Sequence, residues 1–406
     1  MLNIQKKSIY LQLSFSLLIA SLITVLFFWV FPTETLTDFS IILMFTVAFI
    51  ILSRLLSIPI PLNLFLTSLL LVKSVVLLYL YQSGNAMVFP DSHHYLSVLN
   101  SIKSSGDISI ANVQSISGTL HVGYYYFAYL IESFTGSIYA LLIANTFLIS
   151  VSLLLFYKVI TMDFTRRIAL YTTIIGAISM NMFLFGSFIL KDALVVFLLT
   201  LSLYIYKTKK NGLIFALIIS MLLSSVRIYS GVAIIAAIIV DKLINKKNKI
   251  KKRSKIIFLT LMLIMYFVLT KIPFTNRYIT SIQNFYQDYS IVDIILSFPG
   301  TFLKFYFSPL PWNLISETSF YTWLIADSAL FLLLSIGLAL FVLKWFKYKE
   351  LRNRFWIYLI PIIVHVVPLS LEYGGASDRQ RLGVFSILIL TLILGIFYKQ
   401  KKNEEV

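Results

Sequence analysis

The feature that most constrains this chain is a series of apolar stretches, each about as long as a lipid bilayer is thick. A helix crosses the hydrocarbon core with about 20 residues, within a range of about 17–25. The sequence predicts twelve spans, at residues 10–31, 39–57, 60–82, 137–157, 168–186, 187–206, 211–226, 228–241, 256–272, 320–343, 355–371 and 382–398. The short pair 211–226 and 228–241 forms either two tilted helices or one long broken helix.

Composition excludes a soluble protein of several domains. Of the 406 residues, 59% are hydrophobic and only 13% are charged, whereas soluble domains carry about 25% charged residues. We therefore predict an all-α, polytopic transmembrane helical bundle that forms a single integral membrane domain over residues 1–406. Residues 10–31 are longer than the apolar core of a cleavable signal peptide and predict a retained signal anchor. The absence of cysteine excludes disulfides, thiolate metal sites and a cysteine nucleophile.

The charged residues are distributed asymmetrically between the two sides of the predicted spans. With the N-terminus in the cytoplasm, the cytoplasmic loops and flanks hold 25 of the 34 lysines and arginines, while 12 of the 17 acids fall on the other side. Because cytoplasmic loops of membrane proteins are enriched in basic residues, both termini are predicted to be cytoplasmic. The basic loops then face the anionic inner leaflet, so the net charge of +17 requires no nucleic acid partner.

This orientation defines the predicted external regions. Residues 121–134 are rich in tyrosine and are interpreted as an interfacial helix, since a further span there would move basic loops outside. The first external loop then covers 83–136 and the second covers 272–319. A short third loop, 372–381, precedes the last span.

Unusual polar residues collect on this external side, where ionisable groups near a membrane usually mark a path or a site. The densest group lies in the first loop, where an acid, two histidines and a tyrosine fall within five residues. A Lys-Asp pair lies at the start of the sixth predicted span. Three arginines lie in or near later breaks between predicted spans. These candidate site residues are Asp91, His93, His94, Tyr95, Lys191, Asp192, Arg227, Arg379 and Arg381.

Together these features resemble the bacterial GT-C-type membrane glycosyltransferases and the related surface-polysaccharide polymerases. The resemblance rests on the stretch 91–95, the Gly-Tyr-Tyr-Tyr segment at 123–126, the Lys-Asp at 191–192 and the Asp-Arg-Gln-Arg at 378–381. It implies a catalytic acid in the first external loop and a sugar donor linked to polyprenyl phosphate. In that family the acid usually follows the first span, whereas Asp91 follows the third.

The chemistry of glycosyl transfer assigns roles to these residues. A base must take the acceptor proton, and Asp91 is the candidate catalytic residue. The leaving lipid phosphate needs positive charge, which the planar guanidinium of arginine suits, with Lys191 in reserve. The candidate phosphate-binding arginines are Arg227, Arg379 and Arg381. His93 and His94 either polarise the donor phosphate or bind a divalent cation; the sequence implies no other cofactor.

Structural alternatives stand beside these roles. Asp91 is also suited to cap a helix that starts at Ser92. Adjacent histidines on a helix point about 100° apart, which disfavours one shared metal. Asp192 is also explained as a first-turn acid after an N-cap at Ser187, with Lys191 extended toward the headgroups.

The predicted function is that of a multi-pass glycosyltransferase of the cell membrane, most simply a bacterial plasma membrane. It uses a polyprenyl-phosphate-linked sugar on the extracytoplasmic face, with a glycan or lipid-linked acceptor, in the assembly of surface polysaccharide or glycoconjugate. One alternative is a polymerase of polysaccharide repeat units. Another is a transporter or flippase of lipid-linked oligosaccharide, although transporters often show repeats and midplane charges that this sequence lacks.

Overall fold

The computed structural model describes residues 36–119, 121–209, 211–245, 291–310, 320–372, 379 and 381–399. Within these ranges the chain is all-helical and contains no strand, as the sequence predicts. It divides into two compact units, Met1–Lys207 and Thr208–Val406, and each is described by itself. The predicted spans 10–31 and 256–272 and most of the second external loop lie outside the described residues.

The first unit contains nine described helices. They are α1 (Leu36–Leu55), α2 (Ile60–Gln82), α3 (Pro90–Ser105), α4 (Ile110–Ser117), α5 (Gly123–Thr135), α6 (Tyr139–Asp163), α7 (Arg166–Ile178), α8 (Met180–Ser187) and α9 (Asp192–Thr208). Helix α6 lies at the centre, where it packs against α1, α2, α5, α7 and α8. Its side chains are almost all buried, which explains why this apolar helix has no polar face.

Helices α1, α2 and α6 lie side by side with their ends aligned. At one end, the ring of Tyr81 lies 5.6 Å from that of Tyr139, and Ser137 donates a hydrogen bond to Asp38 at 3.2 Å. At the opposite end, Lys158 donates to the carbonyl of Ser57 at 3.2 Å. We call the first end, which carries residues 83–136, the outer end of the unit, and the second the inner end.

The segment between α2 and α6 folds into three short helices at the outer end. Helices α3, α4 and α5 each terminate at a glycine in the left-handed conformation, with φ of 67° at Gly106, 64° at Gly118 and 69° at Gly136. Glycine adopts this conformation without the steric penalty of a Cβ atom. Three helices therefore stop and turn within residues 83–136, which keeps the segment compact over the ends of the long helices.

The predicted fifth span is interrupted. Helices α7 and α8 are bent by 59° at Ser179, whose hydroxyl caps α8 by accepting from the amide of Met182 at 3.3 Å. Lys73 donates to the carbonyl of Ala177 at 2.8 Å. A broken helix leaves carbonyl groups unsatisfied, and the lysine supplies both a donor and a charge that favours a helix C-terminus.

Helix α9 returns from the outer end to the inner end. The turn before it is bonded to Asn145, near the start of α6, with its Nδ2 2.6 Å from the carbonyl oxygen of Phe188. Near its end, Lys207 forms an ion pair with Asp163 at the end of α6. With 17 residues, α9 rises about 26 Å, which matches the stretch of α6 between Asn145 and Asp163.

The second unit contains seven described α-helices. They are α10 (Gly212–Val226), α11 (Ile228–Asn245), α12 (Ile291–Phe307), α13 (Ile325–Leu333), α14 (Ser335–Lys347), α15 (Lys349–Glu372) and α16 (Leu382–Phe397), with a 3₁₀ turn at Phe320–Leu324. Helix α11 packs against α15, and α14 packs against α16.

The helices agree with a membrane protein but do not establish twelve spans. Among the described residues, α1, α2 and α6 are long and apolar enough to cross a bilayer. The count rises to five if the bent pairs α7–α8 and α13–α14 are each one span, and α10 and α16 are shorter apolar helices. The segment predicted as interfacial forms the 13-residue helix α5, whose rise of about 20 Å is less than the hydrocarbon thickness.

Candidate functional site

The first candidate site is a group of four side chains at the outer end of the first unit, which we call the outer aromatic site: Asp91, Tyr95, Tyr124 and Tyr125. The ring of Tyr95 lies 4.9 Å from that of Tyr124 and 5.5 Å from that of Tyr125. All three tyrosines are buried, whereas Asp91 is exposed. Contacts between tilted or edge-to-face rings are favourable, and they hold α3 against α5.

The carboxylate of Asp91 acts electrostatically on Tyr125. Burial, and to a lesser extent the negative charge of Asp91, together raise the pKa of Tyr125 to about 12. The phenol of Tyr125 therefore keeps its proton at physiological pH and is available as a hydrogen-bond donor. The site thus presents an exposed carboxylate next to a protonated phenol.

Asp91 lies in the first turn of α3, but it does not cap the helix. The helix begins at Pro90, and the N-cap residue is Phe89, whose side chain makes no capping hydrogen bond. The predicted cap before a helix starting at Ser92 is therefore wrong. Proline tolerates the first turn because its missing N–H would have no helical partner, so the helix starts earlier and leaves the carboxylate exposed.

The start of α3 is fixed to the turn at residues 188–190. The hydroxyl of Ser92 donates to the carbonyl of Ile189 at 3.1 Å. The ring of Phe89 lies 5.5 Å from that of Phe185 and 5.6 Å from that of Phe188. A buried hydrogen bond and two aromatic contacts therefore set the position from which Asp91 projects.

The same turn is also hydrogen-bonded to Asn145, a residue that is not among the candidates predicted from the sequence. Its Nδ2 group lies 2.6 Å from the carbonyl oxygen of Phe188, 3.3 Å from that of Leu190 and 3.3 Å from the hydroxyl of Tyr124. Asn145 is fully buried, six residues into α6. The available signal was a lone amide side chain in a long apolar helix, which usually has a structural or functional partner.

Lys191 and Asp192 follow this turn directly. Asp192 is the first residue of α9 and is fully buried, whereas Lys191 is partly exposed. The alternative of an N-cap at Ser187 is wrong, because Ser187 ends α8 and four residues separate it from α9. The structure thus brings the Lys-Asp pair and the start of α3 to the same turn, although they are about 100 positions apart in the sequence.

The two adjacent histidines lie on the exposed surface of α3. The Nε2 atom of His93 lies 3.1 Å from the carbonyl oxygen of Met87, and the ring of His94 lies 6.2 Å from that of Tyr95. Throughout the described part of the chain, no group of three His, Asp or Glu side chains is arranged to hold a metal ion. A divalent cation at His93 and His94 stays a prediction.

Arg227 belongs to the second unit, at the junction of α10 and α11. It is 5% exposed, and its guanidinium lies 5.5 Å from the ring centre of Tyr229. That ring contacts His365 edge-on at 5.1 Å. His365 is buried and bonded at both ring nitrogens, to Ser230 at 3.0 Å and to the carbonyl of Pro361 at 2.8 Å, so its polar groups are satisfied by packing partners.

Arg381 is also buried in the second unit, at 3% exposure. Its NH1 group donates to the carbonyls of Phe305 and Tyr306 at 3.3 and 3.0 Å. Its guanidinium lies 5.8 Å from the ring of Phe331 and 5.4 Å from that of Phe385. Carbonyl and aromatic partners surround this predicted phosphate ligand, so packing between α12, α13 and α16 accounts for much of its position.

Arg379 lies in a turn just before α16, and the neighbouring Asp378 falls outside the described residues.

Searches against protein-family models, curated proteins and solved structures found no match to this chain. The resemblance to GT-C-type glycosyltransferases therefore rests on the sequence features alone.

Proposed function

We propose that this protein is a multi-pass membrane glycosyltransferase that uses a polyprenyl-phosphate-linked sugar at its extracytoplasmic face. The observation that carries the proposal is the exposed carboxylate of Asp91, on a helix that contacts between buried tyrosines hold in place. A carboxylate accessible to a hydroxyl group is the base that glycosyl transfer needs.

The proposed reaction proceeds by attack of an acceptor hydroxyl oxygen on the anomeric carbon of the donor sugar. The new carbon–oxygen bond forms as the bond to the lipid phosphate breaks, and the hydroxyl proton passes to Asp91. The polyprenyl phosphate leaves with the bonding electron pair. Lys191, partly exposed after the turn that holds α3, is the proposed nearby cation for this phosphate, and the protonated phenol of Tyr125 is a proposed donor to sugar oxygens.

The three arginines of the second unit have different roles in the proposal. The assignment of Arg227 and Arg379 as phosphate ligands stays a prediction from the sequence. Arg381, whose guanidinium is held by two carbonyls and two rings, is proposed to act mainly by fixing the start of α16. The acceptor is proposed to be a glycan or a lipid-linked sugar.

The proposal is tested by replacing Asp91 with Asn in cells labelled with tritiated sugars. Membranes are then assayed for transfer of label from extracted polyprenyl phosphate to the glycan fraction. Because a general base contributes about 10²–10⁴-fold, Asp91→Asn is expected to lower transfer at least 100-fold and to leave label on the lipid. Unchanged transfer would remove Asp91 as the base.

The matched control is Asp107→Asn. Asp107 is an exposed acid in the same outer segment, and it accepts hydrogen bonds from the amide and hydroxyl of Ser109 at 2.8 and 3.0 Å. An asparagine retains one acceptor oxygen there. Transfer within twofold of wild type is expected for this control, which separates loss of a base from loss of any external negative charge.

The second candidate function is transport of a lipid-linked oligosaccharide. It is favoured by the two bent helix pairs, 59° at α7–α8 and 41° at α13–α14, since broken helices are common in transporters. Proteoliposomes containing a fluorescent lipid-linked sugar distinguish the two candidates. A transporter equilibrates the lipid across the bilayer without forming a new glycosidic bond, whereas the proposed enzyme forms the bond. Long products from added repeat units would indicate the polymerase alternative.

A further inference from the structure

The inner end of the first unit holds a cleft that the proposed function does not use. Its volume is about 550 Å³, and its polar lining comes from Ser57, Tyr157, Lys158, Thr161 and Arg166. We call it the inner basic cleft. It lies between the turn that joins α1 to α2 and the junction of α6 with α7.

Two cations line the cleft, and their known partners are neutral. Lys158 donates to the carbonyl of Ser57 at 3.2 Å, and the Nε group of Arg166 donates to the hydroxyl of Tyr157 at 3.2 Å. Within the described ranges, no carboxylate forms an ion pair with either side chain. The nearby acid Asp163 pairs instead with Lys207, so the cleft keeps an excess of positive charge.

A third cation lies close to this region. Arg54 occupies the last turn of α1, three residues before Ser57. Its NH2 group is buried, and no acceptor among the described residues lies within hydrogen-bond distance of it. Buried donors are normally bonded, so Arg54 carries a donor at the end of α1 that no described residue satisfies.

The position of the cleft indicates the source of that anion. It lies at the ends of α1, α2 and α6, each of which is long and apolar enough to cross a bilayer. The ends of such helices reach the level of the lipid headgroups. Apolar residues Ile58 and Ile60 complete the cleft beside its cations, which suits a ligand with a charged head and a hydrocarbon body.

We propose that the inner basic cleft binds the phosphate of an anionic lipid headgroup, held by Lys158 and Arg166. Arginine matches phosphate oxygens through its planar set of N–H donors, and lysine adds a compact charge. The hydroxyl of Tyr157, which accepts from Arg166, keeps its own hydrogen as a further donor on the same wall, whereas that of Thr161 donates to the carbonyl of Lys158. The charge distribution of the sequence predicts that this end faces the cytoplasmic leaflet, where anionic lipids attract basic residues.

The test is lipid binding to the purified full chain in a non-ionic detergent. Microscale thermophoresis would follow titration with dioctanoyl phosphatidylglycerol, dioctanoyl phosphatidylcholine and inorganic phosphate. Wild type is expected to bind the phosphatidylglycerol at least tenfold more tightly than the phosphatidylcholine. The double variant Lys158→Gln/Arg166→Gln is expected to lose at least tenfold in affinity for phosphatidylglycerol.

Two further variants distinguish loss of the binding site from misfolding and from a nonspecific loss of positive charge. Arg167→Gln is the matched control, because Arg167 is exposed on the same helix, donates to Tyr171 at 3.2 Å and does not line the cleft. It is expected to bind within twofold of wild type. The exchange Lys158→Arg/Arg166→Lys retains both charges and is expected to bind within about threefold.

Three results would overturn the proposal. The first is equal affinity of wild type for phosphatidylglycerol and phosphatidylcholine. The second is wild-type affinity in the Gln double variant. The third is binding of inorganic phosphate as tightly as of phosphatidylglycerol, which would replace the lipid by a soluble anion. This experiment does not measure sugar transfer. A failure of lipid binding is therefore distinguishable from a failure of the proposed glycosyltransferase activity.

Discussion

The outer aromatic site and the inner basic cleft lie at opposite ends of the same three helices, yet their chemistry differs. At the outer end, an exposed carboxylate lies on a helix packed through buried tyrosines, and neutral side chains bond the supporting turn. At the inner end, lysine and arginine bond to a carbonyl and a hydroxyl. The contrast agrees with the predicted excess of basic residues in the cytoplasm.

The difference also concerns how each end is built. The outer end depends on buried hydrogen bonds that join segments distant in the chain, such as those from Asn145 to the turn before α9. The inner end depends on charges carried near helix ends. Changes in buried polar groups should therefore damage the outer end most, while changes in salt or surface charge should act at the inner end.

The largest structural effect is expected for Asn145→Leu. This change leaves the carbonyls of Phe188 and Leu190 without the donor they share, and an unsatisfied buried polar group costs about 1–3 kcal/mol. We expect a lower thermal midpoint in detergent and sugar transfer reduced at least tenfold. Lipid binding at the inner basic cleft is expected to change less than twofold.

The control for this change is Thr146→Val. Thr146 is also buried, but its hydroxyl donates to Leu142 within the same helix at 2.8 Å, so its loss removes no tertiary bond. Its midpoint is expected to stay close to wild type. Equal destabilisation by the two variants would contradict the role assigned to Asn145.

An effect of intermediate size on the stability of the folded protein is expected at high pH, because Tyr125 ionises there. Because its pKa is raised to about 12 in the folded protein, against about 10 in an unfolded chain, the stability it contributes is fully present below pH 10. That stability is lost as the pH rises toward 12. The absorbance of phenolate at 295 nm, taken as wild type minus Tyr125→Phe, should show this late titration.

Asp91→Asn removes the nearby negative charge and should move the Tyr125 titration to lower pH. Burial is the larger cause of the raised pKa, so part of the elevation should remain. A titration of Tyr125 near pH 10 in the wild type would show that the phenol is not buried beside Asp91 as described.

The smallest effect is expected for Lys103→Gln. Lys103 joins the last turn of α3 to Glu132 of α5 at 2.5 Å, but its side chain is 43% exposed. Solvent screening limits such pairs to below about 1 kcal/mol. We expect a small decrease in the thermal midpoint, restoration by Lys103→Arg, and sugar transfer within about threefold of wild type. A tenfold loss of transfer would mean that this pair controls the position of Asp91.

Much of the fold could be predicted because apolar run length is a local property. The predicted span 60–82 coincides with α2, and 211–226 and 382–398 agree with α10 and α16 to within a residue. The bend at Ser179 was missed, because its polar groups are satisfied by Ser179 and by Lys73 from another helix. A pattern along the chain does not show such partners.

The candidate site, like the fold, could be predicted from the sequence only in part. The tyrosine-rich segment and the cluster around Asp91 could be found from composition and spacing. Their connection through Asn145 and the turn at residues 188–190 could not, since it joins segments about 45 and 100 residues apart. Arg381 was assigned by its charge alone, and only the structure shows the carbonyls and rings that hold it.

The most direct test of this account is whether its two ends face opposite sides of the membrane. The chain contains no cysteine, so His93→Cys at the outer end and Arg167→Cys at the inner end can each be labelled alone. Both positions are exposed. In intact cells, a membrane-impermeant maleimide should label residue 93 and should label residue 167 only after permeabilisation. The reverse pattern, or labelling of both positions in intact cells, would contradict the account.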